Sequence, residues 1–407
     1  MTRTKLSRRN GLLPPKLALL LALPLSFGCG EPETVTIGAV LPLSGSSTLY
    51  GQQIAQGLEL ALEQYQTSQE AAAEIELKVV DTESDPSKAR EALRKVYADG
   101  ARAAIGGITT AEAQAMVAVA DGSNRVLLSP SASAKDLSGT SRGFYRLWPS
   151  DAREGSLMGK YAARNLELAT VVVLAAENAY AQGISEAFQG AFEENGGKIQ
   201  EVIRYPAEGA ELAALAKRAV AAKADSIYLA DYATPVVELI RKLRSERFRG
   251  EILTVSAFVT PQALEAAGKA AEGVFVTHPQ FTPEDQSDPR VRAFVDAYRE
   301  KYGEAPGLYA AHGYDSMQVI IEALNRGGDT GGSFWKGMRS VENLPGVTGP
   351  IQFDERGDVL KYPRPYMVQG GRTVDHAALV KKRQDAVKAR MEELRKEREN
   401  LLRRARG

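Results

Sequence analysis

Short β-branched runs alternate with longer helical patterns along most of this chain of 407 residues. The run 34–41 has the composition of a strand, and the following stretch 51–66 places Ile54, Leu58 and Leu62 on one helical face. Strands separated by helices are typical of βαβ units and parallel sheets. The alternation therefore predicts an α/β fold with doubly wound sheets.

The alternation falls into two series, which predict two similar lobes. The first series has predicted strands at 34–41, 75–80, 103–105 and 126–128, and the second has them at 170–175, 198–205, 225–230, 251–255 and 273–277. The Pro-, Asp- and Ser-rich segment 281–290 breaks the pattern and is a candidate crossing between lobes. We expect lobe 1 at 34–149 and 281–364 and lobe 2 at 150–280 and 365–374, joined by a hinge of several strands.

Charge is distributed unevenly, although 51 basic and 51 acidic residues give the chain no net charge. Residues 1–28 hold five basic and no acidic side chains, and residues 381–407 hold eleven basic and five acidic ones. The body between them has 35 basic and 46 acidic residues, a net charge of −11. An acidic body argues against a nucleic-acid partner, whose phosphates need a basic face.

The first 28 residues have the pattern of a secretory signal peptide. Basic residues at 3–9 precede an apolar run at 17–23, and small residues lead to Cys29, the only cysteine in the chain. The apolar run is too short for a permanent membrane helix, which needs about 20 residues. The segment 25–29, Leu-Ser-Phe-Gly-Cys, resembles a lipobox with Ser26 where Leu is usual. We expect export and lipid anchoring through Cys29; plain cleavage that leaves a free thiol is the alternative.

An ordered series of motifs from about 34 to 372 resembles one known family. The motifs are IGAVLPLSG at 37–45, DTESDPSKA at 81–89, IGG at 105–107, SPSAS at 129–133, RLWPSD at 146–151, AHGYD at 311–315 and VTGPIQFDERGD at 347–358. Together they resemble the type I periplasmic binding proteins, specifically the leucine/isoleucine/valine-binding family. The resemblance implies two α/β lobes joined by a hinge of several strands.

The resemblance also implies a function. We expect an exported protein that binds a small amino acid, carboxylate or amide between its lobes and hands it to the permease subunits of an ABC importer. No cofactor is implied. A sensor that signals ligand occupancy to a receptor or regulator is the alternative, and an enzyme on the same scaffold is a third hypothesis.

Candidate ligand-binding residues in lobe 1 lie where helices follow strands. Ligands of doubly wound sheets bind beyond the carboxyl ends of strands, and helix N-termini suit a carboxylate. Thr109 and Thr110 follow the third predicted strand, and Ala132 and Ser133 follow the fourth. By resemblance, Thr110, the Ala132 backbone and Ser133 hold a carboxylate, and Tyr50 lines the pocket. The simpler interpretation of the hydroxyl residues is helix capping.

Lobe 2 offers tyrosines and a departure from the family pattern. By resemblance, Tyr180 and Tyr232 close over the ligand. The family pairs the ligand's amino group with an acid at a position that is occupied here by Ser256. A buried ammonium without a counter-charge is unfavourable. Either Asp231 supplies the carboxylate, or the ligand lacks a cationic amine. Trp148 and Phe258 could shape the apolar part of the pocket.

Other sites are not indicated. His278, His312 and His376 have no metal-ligand spacing, and the chain lacks the common phosphate-loop and hydrolase motifs. From 375 onward, alternating charges and an apolar residue every seventh position predict a solvated helical tail over 375–407. Self-association and contact with an anionic membrane surface are the alternatives for this tail.

Anchoring can be tested on the natural protein. We expect mass spectrometry of the membrane fraction to find the mature N-terminus at Cys29 with lipid on its sulfur, and Cys29→Ser to move the protein to the soluble fraction. An unmodified thiol at a mature N-terminal Cys29 would contradict the prediction.

Overall fold

The computed structural model describes residues 34–68, 73–123, 125–284, 287–327 and 331–404. The predicted signal peptide 1–28 and Cys29 lie outside the described residues. Within the described ranges, the chain forms two large sheets flanked by helices. The predicted α/β fold is confirmed.

The first sheet has five parallel strands in the order β2-β1-β3-β4-β5. Its elements are β1 (Thr34–Leu41), α1 (Thr48–Thr67), β2 (Glu74–Asp81), α2 (Pro86–Ala98), β3 (Ala103–Gly106), α3 (Thr110–Ser123), β4 (Val126–Ser129) and β5 (Phe144–Arg146). The sequence predicted the first four of these strands, β1 to β4, but not β5. Three residues are too few to show a strand period, so β5 had no periodic signal.

The second sheet has seven strands in the order β14-β13-β10-β9-β8-β6-β7. Its consecutive elements are α4 (Asp151–Arg164), β6 (Thr170–Ala176), α5 (Ala179–Glu194), β7 (Lys198–Tyr205), α6 (Leu212–Ala221), β8 (Ser226–Ala230), α7 (Ala233–Ser245), β9 (Glu251–Thr254), α8 (Pro261–Ala267) and β10 (Phe275–His278). We call the unit around the first sheet lobe 1 and the unit around this sheet lobe 2.

The later part of the chain adds to both lobes. It comprises α9 (Pro289–Tyr302), α10 (Leu308–Gly327), α11 (Gly331–Arg339), β11 (Leu344–Gly346), β12 (Gly349–Ile351), β13 (Arg364–Gln369), β14 (Arg372–Asp375) and α12 (His376–Arg404). Helix α10 packs on α1 in lobe 1, whereas β13 pairs antiparallel with β10 in lobe 2. Sequence analysis missed the hairpin β13-β14, whose turn uses Gly370 and Gly371 at positive φ.

Helix starts follow local chemistry. Asp85 caps α2 by accepting the Ser87 N–H at 2.7 Å, with Pro86 at the first helical position. Asn178 caps α5 in the same way, accepting the Ala181 N–H at 2.8 Å. These caps fix the direction in which each helix leaves the strand before it.

The chain passes between the lobes after β5, after β10 and after β12. An ion pair joins the end of β5 to the segment after β12, because Arg146 Nε donates to Asp358 Oδ1 at 2.8 Å. The same guanidinium donates to the Ala134 carbonyl and to the Ser138 hydroxyl. Each of the three guanidinium nitrogens of Arg146 therefore donates a hydrogen bond. A fully buried arginine needs such partners, because an unpaired buried charge is unfavourable.

The tail is a long helix with a solvent-exposed surface. Val387, Met391 and Leu394 on α12 are exposed, and its first residue, His376, contacts the Tyr161 hydroxyl at 2.6 Å. Asp375, expected at the start of the tail, is instead the last residue of β14. Among the described helices, none has the length and apolar character needed to cross a membrane.

Close packing of α4 on α5 yields a stability test. A Cβ at Gly159 would lie 2.8 Å from the Phe192 backbone nitrogen and 3.1 Å from Ala191 Cβ, whereas one at Gly190 would meet nothing within 4 Å. We expect Gly159→Ala to lower the free energy of unfolding by about 1–3 kcal/mol. Gly190→Ala should raise it by roughly 0.5–1 kcal/mol, since alanine favours the helix.

Urea denaturation of both variants measures these changes. Equal effects of the two substitutions would show that α4 and α5 do not pack as described.

Candidate functional site

A small cavity lies between the lobes, where the carboxyl ends of both sheets face each other. Its volume is about 20 Å³, which is room for about one water molecule. We call it the inner cavity; it is lined by Tyr50, Ile108, Thr109, Thr110, Ser131, Ser133, Trp148, Tyr180, Tyr232, Ser256, Ala257 and Tyr309. Seven of the nine predicted ligand-binding residues line it, and Ala132 and Asp231 do not.

Hydrogen bonds cross from one lobe to the other around this cavity. The Tyr50 hydroxyl on α1 accepts the Ala233 N–H at 2.8 Å and faces the Ala257 carbonyl at 3.2 Å. Gln53 on α1 donates to Gln262 on α8 at 3.0 Å. The cleft is therefore closed, and a molecule the size of an amino acid can enter only if the lobes move apart.

The loop after β3 presents two threonines with different roles. Thr109 caps α3, because its hydroxyl accepts the Glu112 N–H at 3.2 Å and its own N–H donates to the Glu112 carboxylate at 3.2 Å. Thr110 is 2% exposed, and its hydroxyl oxygen has no hydrogen-bond partner within the described part of the chain. The capping interpretation thus applies to Thr109, while Thr110 is left with free hydrogen-bonding capacity.

The loop after β4 is built by serine hydroxyls. Ser129 donates to the Gly107 carbonyl at 2.8 Å and accepts the Ala132 N–H at 2.9 Å. Ser131 donates to the Ile108 carbonyl at 2.7 Å. These bonds tie the two loops of lobe 1 together. The Ala132 N–H, expected to face a ligand carboxylate, is bonded to Ser129.

Aromatic rings from both lobes form most of the cavity wall. Tyr180 stacks on Tyr232 with ring centroids 5.1 Å apart, and Tyr50 lies 5.9 Å from Tyr232 and 4.7 Å from Tyr309. Trp148 stacks on Tyr309 at 5.0 Å. The Tyr180 hydroxyl is buried, and none of the described residues bonds to it.

Trp148 and Phe258, the two aromatic residues that the sequence offered for the apolar part of the pocket, occupy different positions. Trp148 is part of the cavity wall, whereas Phe258 is completely buried in the hydrophobic core and does not line the cavity. Phe258 lies in the short 3₁₀ turn Ser256–Phe258 that follows β9.

Asp231 is held by partners inside lobe 2. Its Oδ1 accepts the Tyr232 N–H at 2.8 Å and the Asn178 side-chain amide at 3.3 Å. Its Oδ2 accepts the Tyr205 hydroxyl at 2.9 Å. Despite these bonds, burial raises the pKa of this carboxyl group. Asp231 lines an outer groove of about 520 Å³ at the mouth of the cleft, together with Asn178.

Two buried acids stand behind the inner cavity on the first turn of α4. Asp151 and Glu154 are both 0% exposed. Burial raises the pKa of Asp151 to about 7, although the Ser133 hydroxyl and the Arg146 charge oppose the rise. Burial also raises the pKa of Glu154 to about 8, and the Asp151 charge adds to the rise. The Ser133 hydroxyl acts on the Asp151 carboxyl group, but no described residue makes a hydrogen bond of good geometry to either of its oxygens.

Asp151, Glu154 and Tyr309 are site residues that were not predicted from the sequence. Asp151 ends one of the motifs quoted for the family resemblance, which was the available signal. Tyr309 stands just before another of those motifs. Glu154 gave no signal, because an acid in the first turn of a helix is an ordinary feature of sequences.

Metal ligation has no support in this site. Within the described ranges, no three His, Cys, Asp or Glu side chains are grouped closely enough to hold a metal ion. His312, for example, is buried beside Trp148, and its Nδ1 lies 2.9 Å from the Leu308 carbonyl.

Two α/β lobes that enclose a polar and aromatic cleft at their strand ends are the architecture of a two-lobed binding protein. The chain belongs to the periplasmic binding protein family, whose model matches residues 34–368. It is similar to the leucine-, isoleucine-, valine-, threonine- and alanine-binding protein of Pseudomonas aeruginosa, with 23% identity over 334 residues, 81% of this chain and 88% of that protein.

Solved structures show the same fold. A leucine-binding protein from Thermotoga maritima has a TM-score of 0.78 and 28% identity, covering 84% of this chain and 97% of that one. A solute-binding protein of an ABC transporter from R. palustris, in complex with benzoate, has a TM-score of 0.77 and 21% identity over 84% and 95% of the two chains. The type I family predicted from the sequence is confirmed.

The pKa of Asp151 predicts a pH dependence of stability. In the folded protein Asp151 keeps its proton up to about pH 7, whereas in the unfolded chain it ionises near its ordinary pKa of about 3.9. Rising pH across this interval therefore favours the unfolded state. Because Asp151→Asn cannot ionise, its melting temperature relative to wild type should increase from about pH 4 to about pH 7 and then level off.

Calorimetric melts across this pH range measure the difference, with the exposed Glu194→Gln as the matched control. A difference between Asp151→Asn and wild type that does not change with pH would contradict the assignment.

Proposed function

We propose that this protein is an exported solute-binding protein that takes up a small amino acid, or a related carboxylate or amide, in the interlobe cleft and delivers it to an ABC permease. Family membership and the curated relatives support a binding role. The wall of the inner cavity supports the class of ligand, because hydroxyls suit a polar head group and stacked rings suit an apolar remainder.

One observation carries this proposal. Buried polar atoms without partners converge on the inner cavity from both lobes: the Thr110 hydroxyl from lobe 1 and the Tyr180 hydroxyl from lobe 2. A buried polar group without a hydrogen bond is unfavourable. A ligand that bonds to both groups would remove that cost and hold the lobes together.

Thr110 provides the setting for a carboxylate. It is the first residue of α3, so the positive dipole end of that helix faces the cavity. Ser133, from the neighbouring loop, lines the same side. A carboxylate here can be bound by hydroxyls and N–H groups without an arginine.

Binding and closure are coupled in this proposal. Tyr50 belongs to lobe 1 and Tyr232 to lobe 2, and both line the inner cavity and the outer groove. A ligand that contacts both lobes only in the closed form shifts the equilibrium toward that form. The permease would then recognise closed, loaded protein.

The relatives indicate ligand classes without fixing one. The P. aeruginosa protein is named for aliphatic amino acids and threonine, and a Desulfitobacterium hafniense binding protein of 26% identity is in complex with Leu. The R. palustris protein shows that the fold also holds benzoate. Ligands with and without an amine therefore both occur on this fold.

Export and anchoring complete the proposal. Periplasmic binding proteins act outside the cytoplasm, and the pattern of residues 1–28 is that of a signal peptide. Lipid on Cys29 would keep the protein close to its permease in the membrane. We propose binding without turnover, so the ligand should be recovered chemically unchanged.

A thermal-shift screen of residues 30–407 against amino acids, aromatic acids and amides tests this function, because a ligand that binds the folded state raises the melting temperature. We expect at least one carboxylate to stabilise the protein. Removing a hydroxyl that bonds to a charged group should weaken that ligand roughly 10- to 100-fold in Thr110→Val. Tyr232→Ala should also weaken it, through loss of the aromatic wall.

Thr110→Ser is the matched control, because it keeps the hydroxyl and should retain binding within a few-fold. Full binding by both Thr110→Val and Tyr232→Ala would show that the ligand binds elsewhere.

A further inference from the structure

Ser256 occupies the position where the family resemblance leads one to expect an acid, yet the structure places a carboxyl group against it. The Ser256 N–H donates to Glu154 Oε1 at 2.8 Å, and the Ser256 hydroxyl donates to Glu154 Oε2 at 2.8 Å. Ser256 lines the inner cavity, and Glu154 lies directly behind it. The carboxyl group at this wall of the cavity therefore belongs to Glu154 on helix α4, and not to a residue of the turn after β9.

Asp231, the substitute considered from the sequence, is not positioned for this role. Both of its carboxyl oxygens accept hydrogen bonds from lobe 2, from the Tyr232 N–H, Asn178 and Tyr205. It also does not line the inner cavity. The hydrogen-bonding capacity that remains on the Asp231 carboxyl group faces the outer groove.

The wall behind the cavity holds more negative than positive charge when its acids are ionised. Glu154 and Asp151 lie one turn apart on α4 and are both fully buried. Arg146 is the cation that acts on Asp151, and its Nε is already paired with Asp358 at 2.8 Å. A buried carboxylate is unfavourable unless a cation or a proton accompanies it. A cationic group bound in the inner cavity would supply the missing charge.

We infer that Glu154, acting through the Ser256 hydroxyl, recognises the amino group of the ligand in place of an acid at position 256. This inference rests on the proposed function and narrows its ligand to a small amino carboxylate. The Ser256 hydroxyl gives its hydrogen to Glu154, so its oxygen is free to accept one from an ammonium in the cavity. Glu154 supplies the charge, and Ser256 supplies the acceptor that touches the ligand.

The recognition is coupled to a proton. Burial raises the pKa of Glu154 to about 8, so this group is largely protonated at neutral pH in the free protein. An ammonium next to it favours the carboxylate form. The ligand keeps its own protons, and the proton of Glu154 passes to the solvent. Affinity for an amino acid should therefore increase from about pH 6 to about pH 8.

Other ionisable groups around the pair do not mimic this effect. The phenols of Tyr180, Tyr228 and Tyr309 face it from α5, β8 and α10, and burial raises their pKa values well above the ordinary value, so they remain neutral. The charged neighbours Arg146 and Asp136 act mainly on Asp151. Because Asp151 also titrates near neutral pH, the experiment must separate its titration from that of Glu154.

Isothermal titration calorimetry with two pairs of compounds tests the inference. Each pair shares a carbon skeleton with and without the amino group: L-leucine with 4-methylpentanoate, and L-phenylalanine with 3-phenylpropanoate. We expect an amino acid to bind roughly 10- to 100-fold more tightly than its partner. Titration at pH 7 in phosphate and in Tris, whose ionisation enthalpies differ, should show release of close to one proton with the amino acid only.

Glu154→Gln should remove both the preference and the proton release while keeping the side-chain shape. Adding Ser256→Glu to Glu154→Gln should restore the preference, because it returns an acid to the cavity wall. Asp151→Asn tests whether the neighbouring acid contributes, and it should retain the preference for the amino acid. The exposed Glu194→Gln should behave as wild type. Thermal melts of each variant verify folding, and Glu154→Asp provides a second variant that retains the charge.

Three results would overturn the inference. The first is an amino acid preference that survives in folded Glu154→Gln, and the second is a preference lost in Asp151→Asn instead. The third is binding of carboxylates without an amine in preference to amino acids, which would leave the proposed function intact. If no carboxylate, amino acid or amide binds at all, the proposed function itself fails.

Discussion

Closure of the cleft buries polar atoms from both lobes, and each of those atoms needs a partner. Tyr50 shows the constraint most directly, since its hydroxyl crosses the cleft to the Ala233 N–H and the Ala257 carbonyl. Thr110 and Tyr180 are brought into the same enclosed cavity, and their hydroxyls have no partners among the described residues. We propose on this basis that the cleft selects a ligand with hydrogen-bonding groups at one end and an apolar body that fits the aromatic rings.

Much of the fold could be predicted from the sequence because its signals are periodic. The strands that became β1 and β6 are long runs rich in β-branched residues, and the strand that became β8 is a short, mainly apolar run before a helical pattern. Their burial on both faces preserves that signal. Elements whose sequences show no hydrophobic periodicity were not predicted. β5 has three residues, and the β13-β14 hairpin depends on two glycines at positive φ, which many loops also contain.

The candidate site was only partly predictable, for a different reason. Thr110, Ser133 and Tyr232 lie at strand ends, where fold topology brings ligand-binding residues together. The contact between Glu154 and Ser256 joins residues 102 positions apart in the sequence. No local pattern reports such a pair, so the contact becomes visible only when the fold brings α4 against the turn after β9.

That contact also bears on how binding specificity can differ between related proteins. The P. aeruginosa relative is 23% identical to this chain over 334 residues, so most aligned positions differ between the two proteins. In the recognition that we propose, a carboxyl group on the helix behind the cavity keeps a charge near the ligand and places the Ser256 hydroxyl between them. The pKa of that buried acid would then tune amine recognition.

A crystal structure of the protein grown with its tightest-binding ligand would show where that ligand is held. We expect the ligand in the interlobe cleft, with its carboxylate at the Thr110 hydroxyl and its amino group at the Ser256 hydroxyl. A ligand bound outside the cleft, or one whose polar groups contact neither Thr110 nor Ser256, would contradict it.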